Sequence, residues 1–197
     1  MNSNDLKPAF DNPVSGSRQS FRLALKAMAE PGLSHELRLV DALDTLAPAS
    51  YALALTLLDS DTKVWLSPAL DTPVIRANLA FHCACPVVEQ ARNADFALML
   101  ASETGVIASL NAGTDRDPDQ SCTALIQLDS FEGGVPTVWQ GPGIETQRQV
   151  CLPVDKAFWQ TRQAVSAFPR GIDMFFIAGE QIMALSRSTQ VNFQVEN

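Results

Sequence analysis

The chain has 197 residues, 46% hydrophobic and 18% charged, enough to bury one sizeable core and too apolar for a disordered segment. A formal charge of −8 and a pI near 4.6 disfavour nucleic-acid binding, which usually needs a basic stripe. No run of about 18 apolar residues is present, so no membrane span is expected. The opening Met1-Asn-Ser-Asn-Asp-Leu-Lys7 lacks the apolar core of a signal peptide, and together these features predict one cytoplasmic domain over residues 1–197.

In chain order, Ser17–Glu30 reads as an amphipathic helix. Phe21, Ala24, Leu25 and Met28 form its apolar stripe, Arg22 and Lys26 share a flank, Ser15 or Ser17 caps it, and Pro31-Gly32 ends it. Glu36–Val40 is a short strand. Pro48 opens a buried helix through Leu58, apolar nearly all round. Thr62–Ser67 has strand composition, Thr72-Pro73 starts a helix to Cys83, and a further short helix is expected after Pro86. Phe96–Ala101 is a strand, while Thr104–Leu110 fits either pattern. Thr123–Leu128, Thr137–Gln140 and Gln149–Leu152 are strands separated by glycine-rich or polar turns. Asp155 caps a helix through Ala167 with Ala157, Phe158, Thr161, Ala164 and Val165 inward. Ile172–Ala178, Gln181–Leu185 and Gln190–Val195 complete the chain. Helices alternate with strands in the first half and strands cluster in the second, which predicts an α/β layered domain with a mixed sheet covered on both faces.

Candidate chemistry is sparse. Asp115-Arg-Asp117-Pro-Asp119 imitates the start of a calcium loop but has Gln120 at the glycine position and Ile126 at the glutamate position, so it reads as a solvated acidic loop. His82-Cys83-Ala84-Cys85 offers three soft ligands without paired Cys-x-x-Cys spacing or an evident fourth, whether His35 or Cys122. A packed histidine and reduced, buried thiols are expected there, and no metal. Gly141-Pro142-Gly143-Ile144 either turns between strands or cradles an anion on its amides. It is neither a phosphate loop nor a dinucleotide fingerprint. No Gly-x-Ser-x-Gly elbow occurs, and no complete catalytic constellation is found.

The stretch Phe168–Thr189 is the most informative. Phe-Pro-Arg170-Gly-Ile-Asp173 leads into one apolar run, and a second run exits on Ser186-Arg187-Ser-Thr189. Each arginine has a planar fork suited to phosphate, phosphonate or carboxylate oxygens. Two readings stand: pairing with a neighbouring Asp or Glu, or anion binding.

These pieces resemble the PhnH family, a subunit of the bacterial carbon–phosphorus lyase system. The resemblance runs in order through Phe10-Asp-Asn-Pro-Val14, Ser20-Phe21-Arg22 to Pro31-Gly32, Leu57-Leu58-Asp59, Val64-Trp65-Leu66, Phe81-His82, Gly141–Ile144, Phe168–Asp173 and Leu185–Thr189. It departs in the last element, where the family has Leu-Pro-Arg-Thr-Thr and this chain has Ser186 and Ser188. The resemblance implies a three-layer αβα sandwich similar to the large domain of pyridoxal-phosphate-dependent transferases, without that cofactor. It implies a homodimer that joins G, I and J subunits, in a pathway where the G, H, I and L proteins make ribose 1-phosphonate 5-triphosphate from ATP and a phosphonate, displacing adenine. The I subunit resembles the nucleosidase, leaving a structural or co-catalytic role for this one. Arg170, Arg187 and the loop of Gly141 and Gly143 are then the candidate ATP or phosphonate site, with Thr189 beside them, Asp173 orienting an arginine and His82 as an acid–base or orienting group. The alternatives are an independent α/β enzyme or binding protein for a nucleotide or phosphorylated metabolite, and a ligand-free scaffold.

Overall fold

The structure, a computed structural model, describes residues 6–193. Its elements are α1 (Pro13–Ala29), β1 (Ser34–Glu36), α2 (Pro48–Leu57), β2 (Val64–Leu66), α3 (Pro73–His82), β3 (Phe96–Leu100), β4 (Thr123–Leu128), β5 (Val135–Gln140), β6 (Arg148–Leu152), α4 (Lys156–Val165), β7 (Asp173–Ala178), β8 (Gln181–Leu185) and β9 (Gln190–Phe193). The main sheet has the order β1-β8-β7-β4-β3-β2, with β2, β3, β4 and β7 parallel and the β7–β8 and β8–β1 pairs antiparallel. A second, antiparallel sheet has the order β6-β5-β9. The fold is therefore mixed α/β.

The strand period divides the core in two. Leu98, Leu125, Phe175 and Ala184 lie in register across four strands and join one apolar cluster with α1, α2 and α3. The next row, Met99, Ile126, Phe176 and Met183, joins the other. There Trp139 from the small sheet and Phe158 and Trp159 from α4 pack around Phe176, with ring centroids 5.9–6.5 Å from it. Burial on both faces explains why β3, β4 and β7 read as near-continuous apolar runs.

Several expected elements form as read, notably α2, β4, and α3 with Thr72 accepting from the Ile75 amide at 3.2 Å. Others differ for physical reasons. Asn12, not a serine, caps α1 by accepting from the Ser15 amide. β1 occupies Ser34–Glu36 instead of Glu36–Val40, because its partner β8 begins at Gln181, opposite Glu36, and pairing runs out. The short helix after Pro86 is a 3-10 turn at Ala91–Asn93 and not an α-helix, because Val64 donates to the Pro86 carbonyl and accepts from the Val88 amide, drawing the intervening segment along β2. Ala101–Ser109 is a 3-10 run. The expected strand to Val195 is seen as far as Phe193, and its last two residues, like Met1–Asp5 of the N-terminal reading, lie outside the described residues.

The largest correction concerns α1. Phe21 and Leu25, expected in the core, are 47% and 54% exposed, and the buried face is Ser20, Ala24 and Ala27. These small side chains let the helix backbone approach α2, with the Ser20 hydroxyl reaching the Ala52 carbonyl at 3.4 Å. The bulkier stripe is left beside this contact.

Gln127, at the C-terminal end of β4, holds α2 in place. Ala47 precedes α2 and has no capping side chain. Gln127 Oε1 accepts from the Ala47 amide at 2.7 Å and the Ser50 hydroxyl at 3.0 Å, while its Nε2 donates to the Thr45 carbonyl at 2.8 Å. Gln127→Ala strips the buried Ser50 of its partner. The expected loss is about 2 kcal/mol, or roughly 5 °C in Tm. An unchanged melting curve would show that this staple contributes nothing.

Candidate functional site

Asp173 begins β7 and Arg187 follows β8, and antiparallel pairing of these strands brings the two together. The Arg187 amide donates to Asp173 Oδ1 at 2.7 Å, and Nε and Nη2 donate to Oδ2 at 3.0 and 2.7 Å. Nη1 donates onward to the Pro118 carbonyl. Both side chains are about three-quarters buried, so this clasp is geometrically stronger than a surface pair. Gly171 makes room for it: a Cβ there would stand 2.9 Å from Arg187 Cβ.

Arg170 behaves differently. It closes a small turn with Ala167 and pairs with Asp115 at 3.0 Å, both side chains well exposed. Asp115 and Pro118 belong to one loop, Asn111–Gln120, whose ends Asn111 ties by donating to the Gln120 carbonyl at 2.8 Å. The two arginines thus converge on the segment that imitates a calcium loop.

Beyond Arg187, the Ser186 hydroxyl lies 2.9 Å from that of Ser188 and 3.0 Å from that of Thr189, which is buried. Gly141 packs on the Thr189 backbone. Gly143, at φ +81°, faces the end of α1 so closely that a Cβ would lie 2.0 Å from the Ala29 carbonyl oxygen. Its amide loop is therefore built against protein.

Arg162 was not visible as a candidate in the sequence. It is 3% exposed, donates from Nη2 to the Ser186 carbonyl at 3.0 Å, and has no partner for Nε among the described residues. Burial pushes its guanidinium down to about 10, against the pull of Asp173. Its signal was Trp159: the buried face of α4 is Phe158, Trp159 and Arg162, rotated by about one residue from the expected stripe.

The clasp borders a groove of about 340 Å³ between α1 and the N-terminal ends of the parallel strands. Phe21, Leu25, Phe96 and Phe175 give it apolar walls, and Asp173 and Ser186 form its polar end. A larger cavity, about 660 Å³, lies at the opposite ends of β3 and β4, where open α/β sheets usually hold ligands. Gln127, Asp129, Asp155 and Thr161 line it, with no cation.

With this geometry in place, the likeness to known proteins is informative. The family model for bacterial phosphonate metabolism protein (PhnH) matches residues 8–192. The chain belongs to the PhnH family. It is 35% identical over 192 residues to the alpha-D-ribose 1-methylphosphonate 5-triphosphate synthase subunit PhnH of Rhizobium meliloti (strain 1021), covering 93% of this chain and 94% of that one. It is also 27% identical over 89 residues to HtxG of Stutzerimonas stutzeri, 44% of this chain and 46% of that one.

In this PhnH-family chain, Arg170, Asp173, Arg187, Thr189 and Gly141 lie along one connected set of contacts, and Gly143 packs on α1. Where the family pattern has a proline, the Ser186 hydroxyl bonds hold the turn. His82 stands elsewhere, at the end of α3, with Nε2 3.0 Å from the Lys7 carbonyl oxygen and its ring edge-on to Phe81 and Tyr51. Its neighbours Cys83 and Cys85 are buried free thiols. Cys83 is pushed up and Cys85 down by the hydrogen bond between them. No three His, Cys, Asp or Glu side chains among the described residues could hold a metal ion.

Two consequences are measurable. Arg187→Ala leaves the mostly buried Asp173 with one amide donor and frees Pro118, so a loss of about 3 kcal/mol is expected, with faster proteolysis in Asn111–Gln120. Unchanged stability and cleavage would show that the clasp does not hold this loop. His35, mostly buried with Nε2 3.4 Å from Glu30 Oε2, has its pKa lowered from 6.5 by burial and by Lys26, against Glu30. The folded state therefore prefers neutral imidazole, and the unfolded chain takes up the proton first as pH falls below 6.5. Wild type should lose stability between pH 7 and pH 5 more steeply than His35→Phe; parallel curves would contradict this.

Proposed function

We propose that this chain serves as the PhnH subunit of ribose 1-methylphosphonate 5-triphosphate synthase, within the C-P lyase complex. The observation that carries the reading is the match along nearly the full length of both chains, 93% and 94%, to a relative named as that subunit. The chain acts in the cytoplasm as a homodimer and joins G, I and J subunits. With them it supports displacement of adenine from ATP by an alkylphosphonate. Its own part is structural or co-catalytic, consistent with arginines occupied by Asp173 and Asp115. In the same reading the fold is a three-layer sandwich similar to the large domain of pyridoxal-phosphate-dependent transferases, used without that cofactor; coverage of the main sheet on both faces supports it.

A second reading, an independent enzyme or binding protein for a nucleotide or phosphorylated metabolite, rests on the cavity of about 660 Å³. Asp129 and Asp155 oppose a phosphate there. In the first reading any anion is held at Arg170 and Arg187 beside Gly141 and Thr189, and His82 takes no part in the chemistry.

The test is co-expression with the G, I and J proteins, followed by purification through a tag on this chain. The expected result is a stoichiometric assembly that, with the L protein, releases adenine from ATP and methylphosphonate, while the isolated chain does not. Turnover by the isolated chain, or failure to co-purify, would overturn the reading. Calorimetry of wild type, Arg170→Ala and Arg187→Ala with ATP and methylphosphonate separates an anion site from a scaffold.

A further inference from the structure

Helix α1 carries more than its packing on α2 and β8 uses. Its buried face is made of small residues, and the large ones lie outside it. Val14 and Leu25 are more than half exposed and Phe21 nearly so. With Met28 they follow at spacings of seven, four and three, which lines them up along the helix. The stripe borders the groove of about 340 Å³ floored by Phe96 and Phe175.

Along the solvent side of this stripe run Arg18, Arg22 and Lys26, each four residues from the next and therefore one above another. All three are exposed, and none has a carboxylate within 4.0 Å among the described residues. The helix contains no Asp or Glu. In a chain of net charge −8, three unpaired cations are gathered beside the largest exposed apolar stripe on a helix.

We infer that the α1 face, stripe and ridge together, is the docking surface for a different subunit of the same synthase, one that presents an apolar projection rimmed by carboxylates. This rests on the subunit reading above. Charge decides against an α1-to-α1 contact with a second copy of this chain. An antiparallel pair of α1 helices related by a two-fold axis would set each ridge against its own image, and helix-to-helix packing in any register supplies no acid. A contact with an acidic patch elsewhere on a second copy would repeat across a two-fold axis or run head-to-tail into a ring or an open chain. In each case the stripe variant alone would lose molar mass, which the test below reads. A non-identical acidic partner satisfies both halves of the surface: the apolar groove supplies the desolvated centre and the ridge supplies register and encounter rate.

Two surface variants test this in the full chain, co-expressed with the other synthase subunits: Phe21→Asp with Leu25→Asp for the stripe, and Arg18→Glu with Arg22→Glu for the ridge. Circular dichroism should match wild type for both variants. The fully surface ridge variant should keep the wild-type melting temperature. The stripe variant, whose side chains are about half exposed, should stay folded with a melting temperature lower by only a few degrees. Alone, both variants should keep the wild-type molar mass by light scattering. In co-purification, the stripe variant should lose at least tenfold of the captured partner subunits. The ridge variant should lose less at high salt than at low salt, since its missing interactions are screened. A fall in the mass of the isolated stripe variant would hand the surface to a second copy and overturn the proposal. So would normal assembly of the ridge variant accompanied by lost binding of inorganic triphosphate, which would make the ridge an anion site. If wild type and both variants capture partners equally, the surface assignment alone fails. If wild type captures none, the subunit reading fails and this inference with it.

Discussion

The Arg187–Asp173 clasp is the contact around which the C-terminal half is arranged. It joins the first residue of β7 to the second residue after β8, and through Pro118 it holds the loop that precedes β4. Three consecutive neighbours in the main sheet are thereby tied at one end. The glycine before it, the serine turn beside it and the buried Arg162 behind it make sense as its surroundings. Such a clasp is costly to break from one side, because the partner left behind is a charge with little water. It also consumes hydrogen-bonding capacity that an anion would need, since every nitrogen of the Arg187 guanidinium already donates.

This gives a physical content to a pair of motifs far apart in the chain. Phe168–Asp173 and Leu185–Thr189 belong to one antiparallel unit: Gly171 clears space, Asp173 supplies the carboxylate, and Arg187 closes the contact. Arg170 is the member left on the surface, and its exposed pair with Asp115 holds little energy. A resident of that kind is the easier one for a ligand to displace.

How much was legible in the sequence followed from how local each signal is. Thr72-Pro73 and Asp155 are short-range capping signals, and both helices start where these residues place them. β4 and β7 are apolar runs long enough to be read alone. The direction in which a helix faces is a tertiary matter: in α1 the small residues Ser20, Ala24 and Ala27 fit the space against α2, although Phe21 and Leu25 are more hydrophobic. The same holds for α4, where Arg162 is buried because Phe158 and Trp159 enter the aromatic cluster and carry it inward. The partnership of Asp173 with an arginine was readable from residue types; the reach of Arg187 to Pro118, 69 positions away, was not. Family resemblance, carried by ordered motifs, identified membership more directly than it identified the role of any one side chain.

Taken together, the motif-rich C-terminal half is clasped internally, and the largest exposed apolar stripe on a helix lies on α1 beside unpaired cations. A subunit that works by assembly would have this distribution: a clasped interior and an apolar, cationic face without a partner of its own. Hydroxyl-radical footprinting of the chain alone and in the assembled synthase tests this most directly, because it reads side-chain exposure residue by residue. The expected result is a several-fold drop in oxidation of Phe21, Leu25 and Met28 on assembly, with Asn111–Gln120 unchanged. Unaltered oxidation along α1, with protection appearing instead around Arg170 and Asp115, would contradict it.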